Sequence, residues 1–373
     1  MKKVLFLTGT RADFGKLKSL IKILDEDGLY DIHLFTTGMH MLRKYGYTTN
    51  EVEKLGIGQV YKYINQNEND SMEVVLSKTI LGLSDYIKEN PVDMIIVHGD
   101  RVEALAGAIV GSLHNTLVAH IEGGEVSGTI DELIRHSVSK MSHLHFTSNE
   151  EAAGRLLQLG EQKDSIHIIG SPDMDVMDNA NLPTMNDVKE RYNIPFENYG
   201  ILLYHPVTTE YERAEEYAKI VVEAVLTSGK NYVVIYPNND LGSSAILREY
   251  QKLTDKPHIR IFPSMRFEYF LTLMKYCNHM LGNSSAGVRE APHYGRPSVN
   301  IGSRQDRRAN AKSIVNCHYS VESIVNSIKT ASEMTGIVPE RHFGDGESNL
   351  KFSECLRSPK TWATSLQKVF VDR

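Results

Sequence analysis

The sequence predicts an α/β protein made of two doubly wound domains, and three observations carry that prediction. Short β-rich runs alternate with stretches of helical periodicity, the pattern of a parallel sheet with crossover helices. A stretch rich in Pro, Asp and Asn, residues 171–198, interrupts the alternation, which then restarts. With 373 residues and 41% apolar content, the chain is long enough for two cores.

Strands are expected at 3–9, 32–38, 94–99, 117–122, 144–148 and 166–170. Between the first two, Leu17, Leu20, Ile21 and Leu24 recur at helical spacing ahead of a stop at Gly28. The linker is expected at 171–198, with strands beyond it at 200–204, 232–236, 259–262, 279–282 and 298–301. The domain boundary is set at 172/173. Residues 65–70 read as a loop, and no repeat or heptad run is present.

Forty-one basic against forty-seven acidic residues give a net charge of −6, with no basic block to track a nucleic acid backbone. The apolar run 4–7 ends at Thr8, far short of a signal-peptide core, and nothing approaches the roughly 18 apolar residues of a membrane span. Cys277, Cys317 and Cys355 form no CxxC pair and read as reduced thiols, so a cytoplasmic protein is expected.

Open parallel sheets bind ligands at the carboxyl ends of their strands, so two such domains facing each other would enclose one deep cleft. The first strand runs into TGTRADFGK (8–16), a glycine-containing turn that opens a helix beside Arg11 and Lys16 and is suited to phosphate. It is neither a P-loop nor GxGxxG. VHGDR (97–101) places Asp100 at a strand end, and VAHIEGGE (118–125) places Glu122 at the next. SGTIDELIRH (127–136) then enters a helix with Asp131 and Arg135 on one face, which by itself reads as a surface ion pair; three carboxylates converging from consecutive βα units favour function.

In the second half, LYHPVTTE (203–210) ends a strand with His205, and IYPNNDLGS (235–243) ends the next around Asn239. LGNSSAGVRE (281–290) is the strongest phosphate signal, with Ser284, Ser285 and Gly287 ahead of a helix and Glu290 one to two turns into it. NIGSRQDRR (300–308) adds cationic forks, among them Arg307. His143 and His145 share a strand face without a third ligand, and HExxH is missing, so they read as structural and no metal is expected.

Taken in order, GTRADFGKL, VHGDRVEA, HIEGGEVSGTIDELIRH, GSPDMD, YPNNDLGS, GNSSAGVREAP and NIGSRQDRR resemble the UDP-N-acetylglucosamine 2-epimerase family. The match lies in its hydrolysing branch of sialic acid synthesis and covers nearly the whole chain. Asp173 departs from the glycine common after Gly-Ser-Pro in such relatives. The resemblance implies a B-type glycosyltransferase fold, two Rossmann-like domains, the second ending at 352, with the C-terminal segment 353–373 packing back on the first through a final helix, here 361–370. It implies UDP on the second domain, with Ser284, Ser285 and Gly287 at the phosphates, Glu290 at the ribose and 262–267, including Phe267, at the uracil. Arg11, Lys16, Arg135, Asn239 and Arg307 complete the expected substrate contacts.

The implied reaction removes the proton on sugar carbon 2, expels UDP from carbon 1 to leave 2-acetamidoglucal, and adds water. Asp100, Glu122 and Asp131 match the acid/base positions, because one group must take a proton and another deliver one on the opposite face. Their individual roles stay open. His205 would neutralise charge on the leaving β-phosphate, so neither cofactor nor metal is expected.

The UDP-sugar is the expected partner, with a homodimer or homotetramer as the assembly. Three rivals stand beside this reading: a hydrolysing 2-epimerase of a UDP-2,4-diacetamido-2,4,6-trideoxyhexose, a glycosyltransferase of the same fold, and a non-catalytic UDP-sugar sensor.

Overall fold

The structure, a computed structural model, describes residues 1–67, 70–127, 130–178, 182–305, 308 and 311–372. The chain divides into two compact units, Met1–Glu125 with Asp131–Asn179 and Phe343–Arg373, and Val126–Ile130 with Ala180–His342.

The first unit runs β1 (Lys2–Thr8), α1 (Arg11–Asp27), β2 (Tyr30–Thr36), α2 (Thr49–Glu53), β3 (Gln59–Lys62), α3 (Met72–Glu89) and β4 (Met94–His98). It continues through α4 (Val102–Leu113), β5 (Leu117–Ile121), α5 (Ile130–Met141), β6 (Leu144–Thr147), α6 (Glu150–Gln158), β7 (Ile166–Ile168) and α7 (Pro172–Met177). Its seven strands are parallel, in the order β3-β2-β1-β4-β5-β6-β7. Val4, Leu5, Phe6 and Leu7 are all buried, as a strand covered on both faces requires. Helix α1 starts at a capping box between Thr10 and Asp13 and stops where Gly28 takes φ 64°, and Leu17, Leu20, Ile21 and Leu24 are buried.

The second unit runs α8 (Met185–Tyr192), β8 (Gly200–Leu203), α9 (Ala214–Ser228), β9 (Tyr232–Ile235), α10 (Ser243–Tyr250) and β10 (Ile259–Phe262). Then come α11 (Phe267–Tyr276), β11 (His279–Gly282), α12 (Glu290–His293), β12 (Ser298–Ile301), β13 (Ile314–Cys317) and α13 (Val321–Glu333). Its sheet is also parallel, in the order β10-β9-β8-β11-β12-β13. Two doubly wound α/β units are therefore present, as the alternation predicts. In each sheet the winding reverses once, between β1 and β4 and between β8 and β11, and such reversals open crevices at the strand carboxyl ends.

The structure corrects several expectations. The interrupted stretch 171–198 contains the division between the two units, after Asn179, but it carries two helices: Pro172 starts α7 and Thr184 caps α8 through a box with Asp187. The boundary set at 172/173 falls at the start of α7, which stays with the first unit.

Strands β3 and β13 are additional to the expected set. Both lie at sheet edges, and β3 reads Gln-Val-Tyr-Lys, too polar to stand out as a buried run.

No helix spans 361–370. Helix α14 (Ser348–Arg357) is followed by the single turn α15 (Pro359–Trp362), and Pro359, which offers no N–H, separates the two. Phe352 and Leu356 of α14 belong to the first unit's core, and Arg357 and Ser353 bond Asp27 at the end of α1. Beyond Trp362 the chain bonds outward instead of coiling: the His143 ring lies 3.2 Å from the Leu366 carbonyl, and Val371 N–H donates to Gly160 O at 3.2 Å.

Candidate functional site

In the first unit the loops after β4 and β5 bring two of the expected site residues to one arginine. Asp100 follows β4, Glu122 follows β5, and the buried Arg135 of α5 reaches both residues. One Arg135 nitrogen donates to the Asp100 carboxylate and another to the backbone carbonyl of Glu122 at 2.6 Å. A guanidinium fork suits this task, since it offers several donors in a fixed plane.

Glu122 has φ 63°, a left-handed conformation that a non-glycine residue holds only when its surroundings impose it, and such conformations cluster at functional sites. Its side chain is 3% exposed. Ser171 donates to one carboxylate oxygen, and His98 Nε2 lies 3.3 Å from the other. His98 and Ser171 were not among the expected site residues, although each stands in a motif that was, two residues before Asp100 and inside GSPDMD.

The neighbouring backbone is fixed from beneath. His120 Nε2 lies 2.7 Å from the carbonyl of Gly99, which can only accept, so Nδ1 is left to accept from the Ser139 hydroxyl at 3.0 Å. Burial pushes the His120 ring down to about 3, so it stays neutral. Asp131 is the second residue of α5, half-buried, one turn before Arg135.

The turn after β1 leads into α1, which carries Arg11 and Lys16. Asp13 accepts from the backbone N–H of Gly9 at 3.0 Å and of Thr10 at 3.2 Å, so this helix start already carries an anion of its own. Arg11 pairs with Glu51 at 2.8 Å, and Lys16 pairs at 2.8 Å with the fully buried carboxylate of Asp173. The residue that departs from glycine in the GSPDMD motif thus answers a cation on α1.

In the second unit His205 follows β8. Asn283, fully buried after β11, accepts from the His205 backbone N–H at 2.7 Å and donates to its carbonyl at 2.9 Å. The Asn283 carbonyl accepts from Arg304 at 3.2 Å and Gln305 at 3.0 Å, both beyond β12. The backbone N–H of Asn238, beyond β9, donates to His205 Nδ1 at 3.0 Å. Gly282, at φ 137°, permits this approach, since a Cβ there would overlap the Leu203 carbonyl oxygen.

Ser284 caps a short turn formed by Ser285–Gly287 and accepts from Ala286 N–H at 3.3 Å. Gly287 packs so closely that a Cβ would lie 2.5 Å from Ser298 Oγ. Glu290, 3% exposed, is the first residue of α12, not one to two turns into a helix, because that helix is a single turn of four residues. Asn239 is half-buried after β9, and Phe267 is buried at the start of α11, beyond β10. Arg307 lies outside the described residues.

Among the described residues no three His, Cys, Asp or Glu side chains form a metal-holding group, and no helix is long and apolar enough to cross a membrane. His143 is bonded to backbone groups, and His145 lies 3.0 Å from the buried carboxylate of Glu161.

A family model described as UDP-N-acetylglucosamine 2-epimerase matches residues 22–357. The UDP-N-acetylglucosamine 2-epimerase of Neisseria meningitidis serogroup B is 48% identical to the chain, covering 100% of it and 99% of the relative. The UDP-N,N'-diacetylbacillosamine 2-epimerase (hydrolyzing) of Legionella pneumophila is 30% identical, covering 96% of each. In fold, the crystal structure of a UDP-GlcNAc 2-epimerase from Neisseria meningitidis bound to UDP-GlcNAc superposes with a TM-score of 0.79. That likeness comes at 19% identity and covers 95% of this chain and 99% of the other.

Proposed function

The chain belongs to the UDP-N-acetylglucosamine 2-epimerase family, and on that premise we propose that it is a hydrolysing enzyme converting UDP-N-acetylglucosamine and water to N-acetylmannosamine and UDP. The observation that carries the chemistry is the pairing of Asp100 and Glu122 through Arg135 at the ends of adjacent strands. The hydrolysing form is supported by the Legionella relative, whose name states it, and the N-acetylglucosamine substrate by the more similar Neisseria relative.

On this reading a base removes the proton from sugar carbon 2, and the carbon 1–oxygen bond breaks with its electron pair leaving on UDP. The product of that step is 2-acetamidoglucal. Water then adds its hydroxyl to carbon 1, and carbon 2 receives a proton on the face opposite the one that lost it. Two positioned carboxyl groups are the minimum for this exchange, and Asp100, Glu122 and Asp131 supply them. Charge gathers on the departing diphosphate, so preorganised donors there lower the barrier. His205, Ser284, Ser285 and Gly287 take that role, with Glu290 on the ribose, Phe267 at the uracil, and Arg11, Lys16, Asn239 and Arg307 as further substrate contacts.

The enzyme works in the cytoplasm as a homodimer or homotetramer, its product feeding sialic acid synthesis. Proton NMR of the purified protein with UDP-N-acetylglucosamine in deuterated water tests the reading. Free N-acetylmannosamine deuterated at carbon 2 is expected. Deuterated UDP-N-acetylmannosamine as the lasting product would sink the hydrolysing assignment, and turnover of the diacetamido sugar alone would sink the substrate.

A further inference from the structure

The loops at the carboxyl edge of the second sheet hold His205 by bonds that decide which ring nitrogen carries its proton. The backbone N–H of Asn238 points at Nδ1 across 3.0 Å. A backbone N–H can only donate, so Nδ1 presents a lone pair and the proton of the neutral ring sits on Nε2. The opposite tautomer would set two hydrogens against each other at Nδ1 and leave a lone pair at Nε2.

Asn283 fixes the same residue through its backbone. Its Oδ1 faces the His205 N–H at 2.7 Å and its Nδ2 faces the His205 carbonyl at 2.9 Å, so the partners dictate the amide orientation. The Asn283 carbonyl is itself held by Arg304 and Gln305. Loops after β8, β9, β11 and β12 are therefore linked around His205, the β9 loop at its ring and the β11 loop, itself held from the β12 loop, at its backbone, beside the reversal point between β8 and β11.

From this geometry we infer that Asn283 is a positioning residue that, with the Asn238 backbone, locks His205 as a fixed Nε2–H donor for an anionic oxygen. The inference rests on the reading that His205 meets the leaving diphosphate, and it deepens that reading. A neutral N–H held in place beforehand stabilises the charge that develops as the carbon 1–oxygen bond breaks, and no proton has to change hands.

Long-range proton–nitrogen spectra of enzyme labelled with nitrogen-15 histidine test it, recorded above the ordinary histidine titration range. His205 is assigned as the signal lost in His205→Asn. A protonated Nε2 with a bare Nδ1 is expected in the wild type without substrate, and the Nδ1–H form or an exchanging mixture would overturn the lock. The spectrum needs no turnover, so an enzyme inert toward every UDP-sugar would defeat the functional reading and leave this result standing.

In Asn283→Ala, tautomer exchange and a kcat lower by about tenfold are expected, with KM little changed. A variant that keeps both the wild-type signal and the wild-type kcat overturns the positioning role. Should that variant not fold, Gln305→Leu removes one of the donors holding Asn283 and is read by the same two criteria.

Discussion

Arg135 and Glu122 are joined through the backbone of the one and the side chain of the other: the guanidinium donates at 2.6 Å to the Glu122 carbonyl while its second nitrogen holds the Asp100 carboxylate. A single cation on α5 thus sets the spacing between two strand-end residues, one of which sits at φ 63°.

Lysine keeps that charge but is a point donor without the fork. Arg135→Lys is therefore expected to lose one of the two bonds, at about 1.5–3 kcal/mol for a hydrogen bond to a charged group, and to lower kcat at least about tenfold. Urea unfolding and steady-state kinetics check the two effects. A variant with wild-type kcat would show that the spacing does not matter.

Glu122→Gln keeps the size and the backbone conformation and removes the ionisable group. Loss of a positioned acid or base costs about 10²–10⁴-fold, so deuterium incorporation at carbon 2 should fall by that order while circular dichroism stays unchanged. Because Ser171 donates to the Glu122 carboxylate, Ser171→Ala should lower kcat as well, but by less. A Ser171→Ala effect larger than that of Glu122→Gln would place the serine, not the glutamate, at the reacting atoms.

The fold was legible because buried parallel strands are written as plain apolar runs, as in Val4–Leu7, and because helical spacing running up to Gly28 marks α1 and its end. Edge strand β3 was not, since its outward residues are polar, and the tail 364–372 was not, since its bonds go to distant carbonyls that no local pattern announces. Of the site, the residues at strand ends could be singled out by type and place. Their holders could not: His98, Ser171, Asn238 and Asn283 act through the backbone or through another side chain, and an Asn or Ser in a loop motif looks the same whether it caps a turn or aligns a neighbour.

Three buried histidines make stability depend on pH. Burial pushes His40 and His279 down to about 4 and His120 to about 3, from an ordinary value of 6.5. A depressed folded value means that the unfolded chain binds more protons as acid is added. The stability from keeping each ring neutral is fully present above 6.5 and is lost as pH falls toward 4 and then 3. Each ring should contribute a slope of about 1.4 kcal/mol per pH unit inside that window. Melting temperatures from pH 7 to 5 should fall steadily, and His279→Gln, opposite the Tyr232 hydroxyl, should flatten the slope by about one proton. An unchanged slope in the variant would show that His279 is protonated in the folded protein.

The C-terminal residues around Lys368 should matter to the site even though they follow α15. Lys368 Nζ donates to the carbonyls of Lys140 at 2.9 Å and of Ser139 and Ser142, at the carboxyl end of α5, and pairs at 2.6 Å with Glu161. A cation there closes unsatisfied carbonyls and answers the negative end of the helix that carries Asp131 and Arg135. Glu161 also meets His145 and Lys140 at 3.0 Å each, and against burial, which raises it, His145 and Lys368 hold its carboxyl down at about 2. Replacing Lys368 by Met removes the cap but leaves Glu161 two partners. Lys368→Met should lower stability by about 1–2 kcal/mol and, through a loosened α5, reduce kcat more than it raises KM. Amide exchange should quicken across 136–143 and stay unchanged in the second unit. Equal protection of α5 in both proteins would show that the helix does not depend on its cap.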